Sequence, residues 1–204
     1  MFHHKERFLQ YVVRWNIAPR MQDQSVAEHS YFVALYSDCL CRILQVEAAR
    51  HNRIVAAALR HDMGEVLCSD IPGPVKRAVV DIDSLEDYER RFLDTLGPEY
   101  HTIGLENVHD KAIIKAADCI DATFYLASEV ARGNQMLSRE LDIAEDRMKI
   151  AIRALAVPFS YSRHGDLFEI ISQEITELFG PIELAPRLDT DLPQEEAVQD
   201  EIPF

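Results

Sequence analysis

A run of small and apolar residues, Ile54-Val55-Ala56-Ala57-Ala58-Leu59, leads directly into Arg60-His61-Asp62-Met63-Gly64-Glu65. Its high helix propensity and apolar character predict a buried helix over about 51–68. On such a helix His61 and Glu65 stand four apart and Asp62 and Glu65 three apart, so the three share one face. Ionisable groups on a buried face carry a desolvation cost unless they are paired or ligate a metal. Ser69-Asp70-Ile71-Pro72-Gly73-Pro74 then stops the helix in a stiff turn beside that face. Whatever this chain folds into must bring partners to His61 and Asp62 inside an apolar interior.

The remaining segments supply further helices to pack around that one. Residues 2–15 form a predicted amphipathic helix with Phe8, Leu9, Val12, Val13 and Trp15 on its apolar stripe. After a polar linker, Asn16 to Gln24, Ser25 and Glu28 have the spacing of a capping box and start a helix that runs to about Gln45. An acidic helix is predicted over Ser84 to Leu96, closed by Gly97-Pro98, and a long one from about Asn107 to Arg132. Two more follow, about 136–155 and 165–179, with Pro158 between them and Gly180 closing the last. No period-2 alternation of useful length is present, so the expected fold is an all-α bundle. Residues 181–204 carry seven acids against Arg187 alone, with four prolines, and are expected to form a solvated acidic tail on a domain spanning 1–180.

Net charge narrows the partners. At −14 the chain is unsuited to non-specific binding of a nucleic-acid backbone. A small phosphorylated substrate stays compatible, because a metal and a few local cations can reverse the field at one site. No apolar run approaches the roughly 18 residues of a membrane span, and the N-terminus lacks a signal-peptide core; the expected location is the cytoplasm. The four cysteines, at 39, 41, 68 and 119, have no CxxC spacing and read as reduced small hydrophobes.

Four residues capable of holding a metal fall on three predicted helices: His29, the pair His61 and Asp62, and Asp118, which sits in the apolar stretch Lys115-Ala116-Ala117-Asp118. Two imidazoles and two carboxylates meeting in the bundle would make a mixed N/O site suited to Mn, Fe, Co, Ni or Zn. A second pair, His109-Asp110, lies at the polar start of its helix and is expected to cap it. His3, His4, His51, His101 and His164 stand alone and are expected at the surface.

The order His29, His61-Asp62, Asp118 resembles the H…HD…D pattern of the HD-domain metal-dependent phosphohydrolases. Three further blocks sharpen the likeness to the bacterial YfbR-type 5'-deoxynucleotidases. Arg14-Trp15 with Glu28-His29-Ser30 resembles their RW…EHS block, and His61-Asp62 through Glu65-Val66-Leu67, Asp70, Pro72 and Pro74-Val75-Lys76 resembles HDxxEVLxxDxPxPVK. Lys115-Ala116-Ala117-Asp118 resembles KxAD. The likeness covers about residues 10–130 and departs at Gly73, where a Thr is common in the family.

That resemblance implies one divalent ion on His29, His61, Asp62 and Asp118, a homodimer or higher homo-oligomer, and hydrolysis of 2'-deoxynucleoside 5'-phosphates. In such a site Glu65 would orient water or carry its proton. Arg14 would clamp the phosphate and Lys76 add diffuse positive charge. Asp70 would bond the sugar or protonate the leaving 5'-oxygen, and Trp15 would wall off the space of a 2'-hydroxyl. A dATP-type triphosphohydrolase of the same superfamily is the alternative, with Ile17 pressing on the base and Arg20, Lys76 and Arg77 as the extra cations. A non-catalytic HD protein binding nucleotide or metal is the third reading.

Overall fold

A computed structural model describes residues 4–72, 75–76, 81–97, 107–156 and 167–179. Seven α-helices are described: α1 Val26–Ile43, α2 Ala48–Ala58, α3 Glu65–Cys68, α4 Ile82–Leu96, α5 Val108–Ala131, α6 Ser138–Ala154 and α7 Leu167–Phe179. The N-terminal segment His4–Tyr11 is a 3-10 helix, tighter than the amphipathic α-helix expected there, and it buries Leu9 while leaving Phe8 half exposed. Among the described residues the single β-type pairing is an isolated bridge between Val13 and Ser25.

The helix ends follow the sequence closely. Ser25 caps α1 in a complete capping box with Glu28, and Asn107 caps α5 through His109 N at 2.9 Å. Gly97, at φ 135°, closes α4 in a backbone conformation that side chains disfavour. The principal core lies where α5 packs against α1 and α6, with Val33, Leu40, Ile54, Ile113, Ile120 and Ile152 fully enclosed. A second cluster, Leu9, Val26, Met63, Phe92 and Leu96, ties the N-terminal 3-10 helix and α4 to the turn that carries His61 and Asp62.

The expected unbroken helix over 51–68 is replaced by α2, a series of tight turns over 59–64, and the short α3. The hydrogen bonds here are of the i to i−3 type: Arg60 N to Ala57 O at 3.0 Å, Met63 N to Arg60 O at 3.0 Å and Glu65 N to Asp62 O at 3.0 Å. The Nδ1 of His61 takes Ala58 O at 2.7 Å, the carbonyl an α-helix would give to the N–H of Asp62. Gly64 is buried against Glu89, where an added Cβ would lie 2.7 Å from Glu89 Cγ and would have to push that side chain aside.

His109 and Asp110 do not cap their helix. Asp110 is buried and ion-paired with Arg50, whose Nε and Nη2 lie 2.6 and 2.5 Å from Oδ1, joining α2 to α5. Asn107, two residues earlier, already satisfies the first turn, which frees Asp110 for that strut. Arg50→Ala leaves the carboxylate buried without this partner and is expected to cost roughly 2 kcal/mol, less than for a fully buried pair because Arg50 is partly exposed. Urea denaturation with an unchanged m-value checks it.

His51 is not isolated, since its Nε2 lies 2.8 Å from Asp38 Oδ1. Cys39, Cys41 and Cys119 are buried and Cys68 is half-buried, all as free thiols. The expectations for Gly73, Pro158, Gly180, His3, His101, His164, Arg77 and the tail 181–204 lie outside the described residues.

Candidate metal centre

The four sequence-predicted ligands converge. Donor atoms of His29 on α1, His61 in the turns after α2, and Asp118 on α5 all lie within 4.8 Å of one another. Asp62 Oδ2 is 3.1 Å from His61 Nε2 and 3.4 Å from His29 Nε2, and Asp118 Oδ1 is 3.5 Å from His29 Nε2. Both Nε2 atoms are nonetheless buried with no aligned hydrogen-bond partner. In each ring the other nitrogen is engaged: His29 Nδ1 at 2.6 Å from Asp121 Oδ2 and His61 Nδ1 at 2.7 Å from Ala58 O. Buried polar atoms are nearly always satisfied, so two orphan imidazole nitrogens facing two carboxylates fit a divalent cation.

Electrostatics agree with that geometry. Burial alone would raise Asp62, but His61, with His29, outweighs it and holds the carboxyl well below the usual range. Burial would likewise raise Asp118, yet Lys115, with Nζ 2.6 Å from Oδ2, and then His29 keep it low. Glu65 behaves oppositely. Burial first, then the Asp62 and Asp70 carboxylates, push it up to about 9, against weaker pulls from Arg14 and Lys76. Its Oε2 is also buried and without a hydrogen-bond partner.

The predicted substrate residues come in on the loop between the N-terminal helix and α1. Arg14 N donates to Gln24 O at 2.9 Å and Val26 N to Val12 O at 2.8 Å, closing the base of this loop. Glu129, fully buried, holds its far side by accepting from Met21 N at 2.7 Å and Gln22 N at 3.0 Å. Burial would raise this carboxyl, but the backbone N–H of Met21 and its companions hold it low. Arg14, largely buried, reaches the centre with Nη2 at 3.8 Å from Asp118 Oδ1. Trp15 sits at φ 58°, where a side chain costs about 1–2 kcal/mol, and stacks parallel on Tyr125 at 5.6 Å. Its backbone N–H donates to Asp70 Oδ2 at 3.1 Å, and Asn16 Nδ2 donates to Asp70 O at 2.6 Å, so Asp70 is tied to the indole's own loop. Lys76 is exposed, and Ile17 is 73% exposed.

Sequence reasoning missed Asp121, Gln24, Glu129 and Tyr125. The available signal for Asp121 was a second carboxylate three residues after Asp118 in an apolar helix. A groove of about 360 Å³ between α1 and α5, walled by Phe32, Tyr36, Phe124 and Tyr125, reaches Asp121 but is lined by none of His29, His61, Asp62 or Asp118.

Residues 2–159 match the family described as 5'-deoxynucleotidase YfbR-like. The 5'-deoxynucleotidase of Vibrio vulnificus is 27% identical over 185 residues, covering 81% of this chain and 92% of its own. The 5'-deoxynucleotidase YfbR of Escherichia coli is 27% identical over 168 residues, covering 75% and 82%. Among solved structures, the cyanophage S-2L HD phosphohydrolase DatZ, bound to dA and one catalytic Zn2+ ion, overlays with a TM-score of 0.66 at 17% identity, covering 87% of this chain and 98% of that one. That last likeness is one of fold, the all-helical HD-domain arrangement, while the match along three-quarters of the sequence decides kinship: the chain belongs to the YfbR-like 5'-deoxynucleotidase family.

Proposed function

We propose that this protein is a metal-dependent phosphohydrolase that converts 2'-deoxynucleoside 5'-monophosphates to deoxynucleosides and orthophosphate. The observation that carries the reading is the buried Nε2 atoms of His29 and His61 converging on the carboxylates of Asp62 and Asp118 without an aligned hydrogen bond, in a chain of this family. Those four residues would hold one divalent ion from the set Mn, Fe, Co, Ni and Zn. When bound, such an ion polarises a phosphoryl oxygen and makes water nucleophilic at neutral pH.

The protein's own groups do the rest. Glu65, half-buried beside Asp62, handles the proton of the attacking water. Arg14 offers phosphate a guanidinium anchored by Gln24 and Asp121. Asp70, fixed by the backbone N–H of Trp15, bonds the sugar or gives a proton to the leaving 5'-oxygen. The indole, held flat on Tyr125, is a stiff wall against a 2'-hydroxyl. Lys76 supplies a further exposed positive charge.

A triphosphate would need more cations, and Arg20 is already spent within its own loop, with Nε at 2.5 Å from Asp23 Oδ1 and Nη1 at 3.2 Å from Trp15 O. That favours the monophosphate. The reading also takes 1–180 as the catalytic unit with 181–204 as an acidic tail, a homodimer as the assembly, and the cytoplasm as the location. Incubating the metal-loaded protein with dAMP and with dATP tests it. Orthophosphate from dAMP is the expected product, triphosphate from dATP would install the alternative, and turnover of neither would leave a binding protein.

A further inference from the structure

We infer that Asp121 is a positioning residue that sets the tautomer of His29 and so presents His29 Nε2 as a metal donor. The inference rests on the metal reading above. His29 is fully buried and Asp121 is 3% exposed, and His29 Nδ1 lies 2.6 Å from Asp121 Oδ2. A carboxylate oxygen at this distance asks for a proton on Nδ1. Arg14 Nη1 is equally close to Nδ1, at 2.6 Å, and a guanidinium only donates. The two neighbours therefore ask for opposite tautomers.

The other end of the ring decides between them. A proton on Nε2 would face Asp62 Oδ2 at 3.4 Å and Asp118 Oδ1 at 3.5 Å, neither aligned to accept it, whereas a proton on Nδ1 meets Asp121 Oδ2 at 2.6 Å. Asp121 is itself locked in place: its Oδ2 accepts from Gln24 Nε2 at 2.9 Å and lies 3.4 Å from Arg14 Nη1. A proton on Nδ1 thus satisfies Asp121 and leaves a lone pair on Nε2 aimed at the ligand cluster. His61 reaches the same state through a main-chain carbonyl, Ala58 O, which no substitution removes. Among the described residues Asp121 is the one side chain that performs this orientation for an imidazole of the set.

In Asp121→Asn the amide can turn its NH2 toward Nδ1 and stabilise the wrong tautomer, with the proton on Nε2. The full chain, stripped with a chelator, is titrated with Zn2+ in competition with a chromophoric chelator. Wild type is expected to bind one equivalent and Asp121→Asn to bind about 10–100-fold more weakly. Affinities within twofold of each other overturn the inference, whereas a wild type that binds no ion overturns the metal reading instead. Two-bond 1H–15N correlation spectra of the metal-free wild type, labelled at histidine and recorded near pH 8, read the tautomer without any substitution. They are expected to show His29 protonated on Nδ1, and protonation on Nε2 would overturn the assignment even if Asp121→Asn failed to fold.

Discussion

Asp62→Ala is expected to lose its metal and fall to background turnover. Asp62 Oδ2 contacts both imidazole Nε2 atoms, 3.1 Å from His61 and 3.4 Å from His29, so it is the carboxylate that faces both rings. Without it His29 and His61 face each other with Asp118 as the remaining acid, and that carboxylate already shares one oxygen with Lys115 at 2.6 Å. A bound Lewis acid is worth several kcal/mol of transition-state stabilisation, so its loss should lower kcat by on the order of 10³-fold or more. The substitution should spare the fold, because Asp62 is partly exposed and the neighbouring Met63, not Asp62, anchors the turn in the core. Elemental analysis of the purified variant, beside its far-UV circular dichroism, checks both halves. Stoichiometric metal with normal turnover would show that the centre lies elsewhere.

The four residues of the proposed centre were legible through the H…HD…D spacing, and for His61-Asp62 and Asp118 also through an apolar setting, where burial without a partner is expensive. The helix caps were legible for a similar local reason: Ser25 with Glu28, Asn107 and Gly97 each act within a few residues of themselves. The path of the chain at His61 was not. Propensity and apolar spacing both favour helix through 51–68, but the His61 ring captures Ala58 O and the Glu89 side chain of α4 packs on Gly64, the second of which depends on the fold already being formed. The shared helical face of His61, Asp62 and Glu65 is therefore not what brings them together; consecutive tight turns are.

Partners distant in sequence were the other blind spot. Asp110 looked like a capping residue because acids favour a helix start, yet it reaches Arg50, sixty positions away, on α2. Asp121 and Glu129 lie on the same helix as Asp118 and carry no local pattern that separates a structural carboxylate from a ligand. What distinguishes them is the neighbour: a histidine ring for Asp121 and the backbone of residues 21 and 22 for Glu129. The loop that Glu129 holds delivers Arg14 to the centre, so the sequence block that resembles the family's and the buried acid that positions it are about a hundred residues apart.

Glu65→Gln should separate proton handling from metal binding. Glu65 makes no ion pair with His29 or His61, and its Oε2 is buried with no hydrogen-bond partner, whereas Asp62 and Asp118 both contact the imidazoles. Burial and the nearby Asp62 and Asp70 raise its pKa to about 9, the environment expected of a carboxyl that gives and takes a proton and not of one that ligates an ion. Glutamine keeps the shape and the polarity but cannot carry the proton. A general acid or base contributes about 10²–10⁴-fold, so kcat should fall by that factor while KM changes little and bound metal stays at one equivalent. Any limb of the kcat–pH profile that belongs to Glu65 should vanish with it. The decisive comparison sets metal content against kcat in the same preparation. Metal lost along with activity would move Glu65 into the ligand set, and unchanged kcat would leave the water's proton to Asp70 or to solvent.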